Sequence, residues 1–279
     1  MAASAVRRRR SAFAAGVATL AMTLSLSAAP AQAAPFNEYV ALGDSYAAGV
    51  GAGEYVDVAC GRSANAYSEL ADALKTVRDV TNVACGGRTT QGVVSEQLGV
   101  LDRQTDLVTI TAGGNNLDFG TLAAACASAL FGAPPSPECN AAAGAAIAKA
   151  ESGQLAGEVG SMIQSVHEAA PNARIVVTGY PYILDPLPAD QTNPMSFNYV
   201  ATRLIDGLNG SIEAAAAAAP KRVDVEFVGV TEAFAGHGVL TPDSWINLNI
   251  EDPRSFLHPN AAGYQAYFAA LSAAGAFKP

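Results

Sequence analysis

The sequence predicts an α/β domain: a three-layer α/β/α sandwich around a central parallel sheet of five strands. Three observations predict it. Short, nearly continuous apolar runs alternate with longer helix-like stretches, as expected of strands covered on both faces. Glycine-bearing motifs directly follow the first three of those runs. About 245 residues remain behind an N-terminal leader, enough for one domain with a substantial core.

In chain order, the leader comes first. Arg7 to Arg10 form a basic start, Ala12 to Leu26 an apolar stretch, and Ala31-Gln32-Ala33 a small-residue cleavage pattern. This predicts a secretory signal peptide over residues 1–34 and a single catalytic domain over 35–279. No stretch reaches the roughly 18 apolar residues a membrane span needs, so a secreted, extracellular product without a stable membrane anchor is expected. Arg9-Arg10 leaves the export route open, because Phe13 sits late for a twin-arginine signal.

Strands are predicted at Tyr39–Leu42, Asp79–Val83, Asp106–Thr111, Arg174–Thr178 and Val223–Val230. Helices are predicted near Ala64–Lys75, Leu117–Leu130, Ala141–Ala170, Asn193–Ala219 and Asn260–Ala274. The alanine runs at Ala141–Ala150 and Ala214–Ala219 support two of them, alanine having the highest helix propensity. Right-handed crossovers then cover both faces of the sheet. Ligands bind such sheets beyond the carboxyl ends of the strands. Gly43-Asp44-Ser45, Cys85-Gly86-Gly87 and Gly113-Gly114-Asn115 follow the first, second and third strands. All three motifs are therefore predicted on one edge.

Charge and cysteines narrow the possibilities. Removing residues 1–34 takes four of the 16 Lys+Arg and none of the 25 Asp+Glu, leaving a formal charge of −13. So acidic a chain is not expected to seek nucleic acid or anionic headgroups. A monomer is the expected state. Cys60, Cys85, Cys126 and Cys139 form an even set, which in an oxidising compartment favours disulfides. Of three possible pairings, Cys60–Cys85 with Cys126–Cys139 is expected, since each closes a short loop-like segment. Zinc is the weaker alternative, because neither C-x-x-C nor H-E-x-x-H spacing occurs.

The chemistry starts at Ser45, whose hydroxyl needs an adjacent base to become a nucleophile. There are three histidines. His167 belongs to an amphipathic helix end and is expected to face solvent. His237 sits in a Gly-His-Gly loop, poorly suited to holding a base. His258 precedes Pro259, which restricts its backbone, and opens the last helix; it is the favoured general base. A tetrahedral oxyanion needs preorganised donors. Gly87 can bring its backbone N–H close, Asn115 can offer a side-chain amide, and the backbone N–H of Ser45 is a third. Taken singly, each has an ordinary turn or cap explanation. Together they complete the requirements of ester hydrolysis with no cofactor and no metal.

On these four blocks the chain resembles the SGNH hydrolases, or GDSL lipase/esterase family, and in particular its secreted actinobacterial branch. Ser45, Gly87, Asn115 and His258 match the family's four blocks in order, across essentially the whole mature chain. The resemblance implies the flavodoxin-like SGNH fold and a serine esterase with an oxyanion hole of Ser45, Gly87 and Asn115. The alternative G-x-S-x-G elbow is absent, Ala47 standing at its last position. Two departures matter. The third block usually reads Gly-Asn-Asp, but here reads Gly114-Asn115-Asn116. The family often carries Asp three residues before its histidine, and here that position is Ser255.

A histidine base needs its second ring nitrogen held. The candidates are the Phe256 carbonyl, the Asp252 carboxylate and Ser255. The resemblance favours Phe256, because some members of the branch look like dyads completed by a main-chain carbonyl. Family substrates include acylglycerols, phospholipids, simple esters and acetylated sugars. An apolar wall from Trp245–Ile250 and Tyr180–Leu184 would suit an acyl chain, although the same residues could merely close the core. Lipid or fatty-acyl esters are the expected substrates. The alternatives are a carbohydrate-ester deacetylase, weakly disfavoured by the single Trp, and a catalytically retired secreted binding protein.

Overall fold

Strand pairing sets the position of every later feature. A computed structural model describes residues 1, 34–188, 191 and 196–279. The predicted leader and the start of the helix expected from Asn193 lie outside the described residues. The central sheet is five-stranded and parallel, as the sequence predicts. Strand β1 (Phe36–Gly43) leads into a one-turn helix, α1 (Ser45–Ala48). A small hairpin follows, β2 (Tyr55–Asp57) with β3 (Arg62–Ser63), then the short α2 (Tyr67–Leu70) and strand β4 (Val77–Asn82). Helix α3 (Thr90–Glu96), strand β5 (Leu107–Thr111) and helix α4 (Phe119–Leu130) complete the first half. The second half runs α5 (Pro137–Glu151), α6 (Gln154–Ala169), β6 (Arg174–Thr178), α7 (Phe197–Ala217), β7 (Val225–Val228) and α8 (Ala261–Ala274).

The sheet order is β4-β1-β5-β6-β7, so the connections reverse direction between β1 and β5. That is the crevice where doubly wound sheets bind ligands. β5 is buried at every residue, and β6 after its first. These are also strands whose sequences read as nearly continuously apolar, with threonine as the polar residue at buried positions. Beneath the sheet a buried hydroxyl chain runs from Tyr67 through Thr111 and Thr178 to Tyr267, with links of 2.8, 2.6 and 2.8 Å. It satisfies four polar groups that burial would otherwise strand.

Four elements differ from the sequence expectation. The helix expected over Ala141–Ala170 is two helices, because Gly153 adopts a left-handed conformation (φ +80) between α5 and α6. The helix expected over Ala64–Lys75 contracts to α2 and a 3-10 turn, Ala71–Ala73. Helix α3 and the β2–β3 hairpin were not foreseen. α3 is short, polar and carries Gly92, while the hairpin strands are too short to show alternation.

The end of β1 is the tightest point in the fold. Gly43 has φ +130, and a Cβ there would sit 2.1 Å from the Thr111 carbonyl oxygen. Only glycine lets β1 pass so close to β5 at this position. The buried amide of Gln97 then grips both sides of Gly43, accepting from its N–H and donating to its carbonyl, each at 2.8 Å.

Candidate active site

The carboxyl ends of the strands deliver the predicted residues to one cleft of about 630 Å³. Ser45 begins α1 directly beyond β1. After β4 the chain continues alongside β1, Cys85 N–H donating to Gly43 O at 3.1 Å, which sets Gly86 and Gly87 beside Ser45. Gly87 has φ +79, a left-handed conformation that favours glycine, and nothing lies within 4 Å of its missing Cβ. Asn115 follows β5, and His258 precedes α8. Ser45, Gly87, Asn115 and His258 all line this cleft.

The pairing of nucleophile and base candidates is direct. Nε2 of His258 lies 2.7 Å from Ser45 Oγ, and Nδ1 lies 3.0 Å from the Phe256 carbonyl oxygen. A carbonyl only accepts, so Nδ1 carries the proton and Nε2 is left as the acceptor for the serine hydroxyl. Burial holds the His258 imidazole down at about 4, despite the opposing hydrogen bond to Phe256. The ring is therefore neutral across the neutral pH range.

Asp252 does not hold the ring. Its Oδ1 accepts the backbone N–H groups of Arg254 and Ser255, at 3.2 and 3.4 Å, and caps the turn before the histidine. Ser255 Oγ donates to the Asp252 carbonyl at 3.4 Å. The other two histidines lie elsewhere. His237 stacks on Trp245 with centroids 3.4 Å apart, its Nδ1 2.8 Å from the Asp243 carbonyl oxygen. His167, expected to face solvent, is instead half-buried in the last turn of α6, and its Nδ1 has no partner among the described residues.

Several supporting residues were invisible in the sequence. Asp44 is buried, its carboxyl pushed up to about 7 by burial, against hydrogen bonds from Tyr180 and Tyr46 that pull it down. The Tyr180 hydroxyl donates to Asp44 Oδ2 at 2.5 Å and accepts the Gly114 N–H at 3.2 Å. This phenol therefore ties the Ser45 turn to the Asn115 turn. Asn115 Nδ2 donates to the Arg88 carbonyl at 3.0 Å, which fixes the plane of its amide and leaves a second N–H. Asn116, the departure from Gly-Asn-Asp, accepts from Thr90 N–H at 2.9 Å and donates to Glu158 Oε2 at 2.7 Å. The carboxylate missing from the motif is thus supplied by α6. Burial would raise the Glu158 carboxyl, but hydrogen bonds from Lys149, Asn116 and Gln154 outweigh it and hold it low.

Both disulfides form as expected, Cys60–Cys85 and Cys126–Cys139. The first brings Cys60 O within 2.9 Å of the Gly86 N–H and so anchors the Gly86-Gly87 loop. The apolar wall differs from expectation. Of the Trp245–Ile250 segment only Ile250 reaches the cleft, and of Tyr180–Leu184 only Tyr180, with Ile183 lining the apolar crevice beyond it. The wall is built instead by Phe119, Ala123 and Ala127 of α4 with Ile205 and Leu208 of α7. A narrow apolar crevice continues past Phe119, Ile205 and Leu257 to Leu130 and Phe197. Among the described residues, no group of three or more His, Cys, Asp or Glu could hold a metal, and no helix is long and apolar enough to cross a membrane.

A cleft at the switch point of a doubly wound sheet marks a ligand site, and comparison with known proteins supplies its class, the carboxylic ester hydrolases. The sequence matches the GDSL-like lipase/acylhydrolase family over residues 41–266. It is 33% identical to Lipase 1 of Streptomyces coelicolor over 253 residues, covering 87% of this chain and 88% of that one. The crystal structure of phospholipase A1 from Streptomyces albidoflavus superposes with TM-score 0.73 at 32% identity, covering 86% of this chain and 99% of that one. The extracellular lipase of Streptomyces rimosus gives 0.72 at 29% identity, covering 85% and 99%. The chain belongs to the GDSL-like lipase/acylhydrolase family and is a carboxylic ester hydrolase.

One substitution separates the two ways of holding the base. Asn keeps an acceptor oxygen for the 252–255 turn, so Asp252→Asn should change kcat by no more than about threefold. A loss near the roughly 10⁴-fold seen when a triad aspartate is replaced would show that the carboxylate, not the Phe256 carbonyl, orients the imidazole.

Proposed function

We propose that this chain is a secreted serine esterase or lipase that cleaves lipid or fatty-acyl esters through an acyl-enzyme on Ser45. Residues 1–34 serve as a cleaved leader and 35–279 as the catalytic domain. The observation that carries the reading is the 2.7 Å contact between Ser45 Oγ and an imidazole nitrogen left unprotonated by its partner's bond to Phe256 O.

In the acylation step, Ser45 Oγ attacks the ester carbonyl carbon while its proton passes to His258 Nε2. The carbonyl oxygen takes up the negative charge against the N–H groups of Ser45, Gly87 and Asn115, each donor of this kind contributing about 3–4 kcal/mol in comparable sites. Collapse expels the alkoxide, which leaves as an alcohol with the proton from Nε2. Water then repeats the sequence on the acyl-serine: His258 removes a proton from the water, and the acid departs as Ser45 regains its hydrogen. The Phe256 carbonyl holds the tautomer throughout but carries no full charge, so it stabilises the imidazolium less than a carboxylate would. The apolar faces of α4 and α7 suit a fatty-acyl chain. The relatives' names, lipase and phospholipase A1, point the same way.

Turnover of p-nitrophenyl esters of increasing chain length tests this reading. The wild type should hydrolyse them with a preference beyond acetate, and Ser45→Ala should lose on the order of 10⁴-fold or more in kcat. Retention of the rate within tenfold would remove Ser45 from the reaction. The base must be neutral to accept a proton, and its pKa is depressed, so activity should persist as pH falls below 6 and be lost near pH 4–5. An acid limb in kcat/KM at 6.5, the value of free imidazole, would show that burial does not depress the imidazole in the working enzyme.

A further inference from the structure

Four large apolar side chains on segments that build or adjoin the cleft wall are exposed. Val56 is 70% exposed, Val58 62%, Ile250 62% and Phe131 55%. Their places in the fold are related. Val56 and Val58 stand on the β2–β3 hairpin, whose connection continues into Ala59, Cys60 and Gly61 of the cleft wall. Ile250 itself lines the cleft. Phe131 lies at the end of α4, four residues beyond Ala127, which in turn is four beyond Ala123 of the wall; that spacing keeps all three on one helix face. The apolar wall of the cleft therefore runs outward to its rim.

The rim is also rigid. Arg254 donates to the Val58 carbonyl and ties the hairpin to the loop before the histidine. Arg62 pairs with Asp57 at 2.5 Å across the hairpin, and Cys60–Cys85 anchors its base. Cys126–Cys139 braces the connection that holds Phe131 between α4 and α5. Charge is distributed to match. From Phe119 to Pro137 no residue carries a charge, although the domain as a whole is strongly acidic. Along the chain, the charged groups nearest the rim and cleft segments are Glu54, Asp57 with Arg62, Arg88 with Glu96, Asp118, Glu138, and Glu251 and Asp252 with Arg254. They are mostly acidic and would repel an anionic surface.

We infer that Phe131, Val56, Val58 and Ile250 form a fixed apolar rim that docks the cleft onto a lipid surface of no net charge. Exposed apolar patches bordered by polar groups mark interaction sites, and this one is continuous with the substrate cleft. Docking rests on the esterase reading above for its purpose, since it brings acyl chains packed in an aggregate to the Ser45 cleft without passing through water. Binding itself needs no chemistry, so its failure is separable from failure of that reading.

The test is co-sedimentation of the whole protein with vesicles of ether-linked phosphatidylcholine, which offers no ester to cleave. The wild type should sediment, and more strongly than with ether-linked phosphatidylglycerol. Phe131→Asp and Val58→Asp should each lower partitioning by about tenfold or more. Val100→Asp, at an exposed residue (44%) beside the amino end of the sheet, should bind as the wild type does. Hydrolysis of dissolved p-nitrophenyl acetate should stay within about twofold in Phe131→Asp and Val58→Asp, showing an intact cleft. Wild type that does not sediment, rim variants that sediment equally, or preference for phosphatidylglycerol would each overturn the inference. So would concentration-dependent dimerisation lost in Phe131→Asp with no vesicle binding, which would assign the rim to a second copy of the chain.

Discussion

A hydrogen bond of 2.7 Å joins Ser45 to His258 across 213 residues of chain, and much of the molecule serves to hold its two ends. At the serine end, Gly43 passes against Thr111 where no side chain fits, and Gln97 grips it from both sides. Asp44 caps α1 through the Tyr46 N–H at 2.9 Å. At the histidine end, Leu257 takes a left-handed backbone (φ +61), a strained conformation for a branched side chain. The Tyr46 hydroxyl donates to its carbonyl at 2.7 Å, and Asn247 donates to the His258 carbonyl at 3.0 Å. Tyr46, the residue after Ser45, thus restrains Leu257, the residue before His258. Strain of this kind persists where the surroundings over-determine the backbone.

The electrostatics follow from burial. Asp44 and His258 both line the cleft, and burial drives each toward its neutral form: Asp44 up to about 7 and His258 down to about 4. Neither faces an opposite charge that would reverse the shift. Under the proposed esterase reading, an imidazole held by a carbonyl gains a less stabilised imidazolium but stays neutral in acid. A carboxylate on Nδ1 would have moved that balance the other way.

Much of this was legible in the sequence, for identifiable reasons. β5 and β6 read correctly because burial on both faces leaves a nearly continuous apolar, β-branched signature. Ser45, Gly87 and Asn115 could be placed on one edge because each follows a strand closely, and His258 because Pro259 and a helix start follow it. The residues that hold them were not legible. Tyr180 meets Asp44 over 136 residues and Asn116 meets Glu158 over 42, and no local pattern encodes such pairs. The loss of the motif carboxylate at Asn116 looked like a gap until the fold brought α6 alongside. The substrate wall was sought in Trp245–Ile250 and Tyr180–Leu184, but Trp245 stacks on His237 and Ile246 is buried, and only Ile250 and Tyr180 reach the cleft. α4, with its run of alanines, read as an ordinary helix, since small side chains forming a wall give no sequence signal distinct from high helix propensity.

Covalent trapping tests the central pairing most directly. A p-nitrophenyl alkylphosphonate forms a stable adduct only with an activated serine, and peptide mapping by mass spectrometry locates it. A single phosphonyl group on Ser45, formed quickly by the wild type and at least about 10³-fold more slowly by His258→Ala, is the expected result. An adduct on another serine, or equal labelling without the imidazole, would contradict the account.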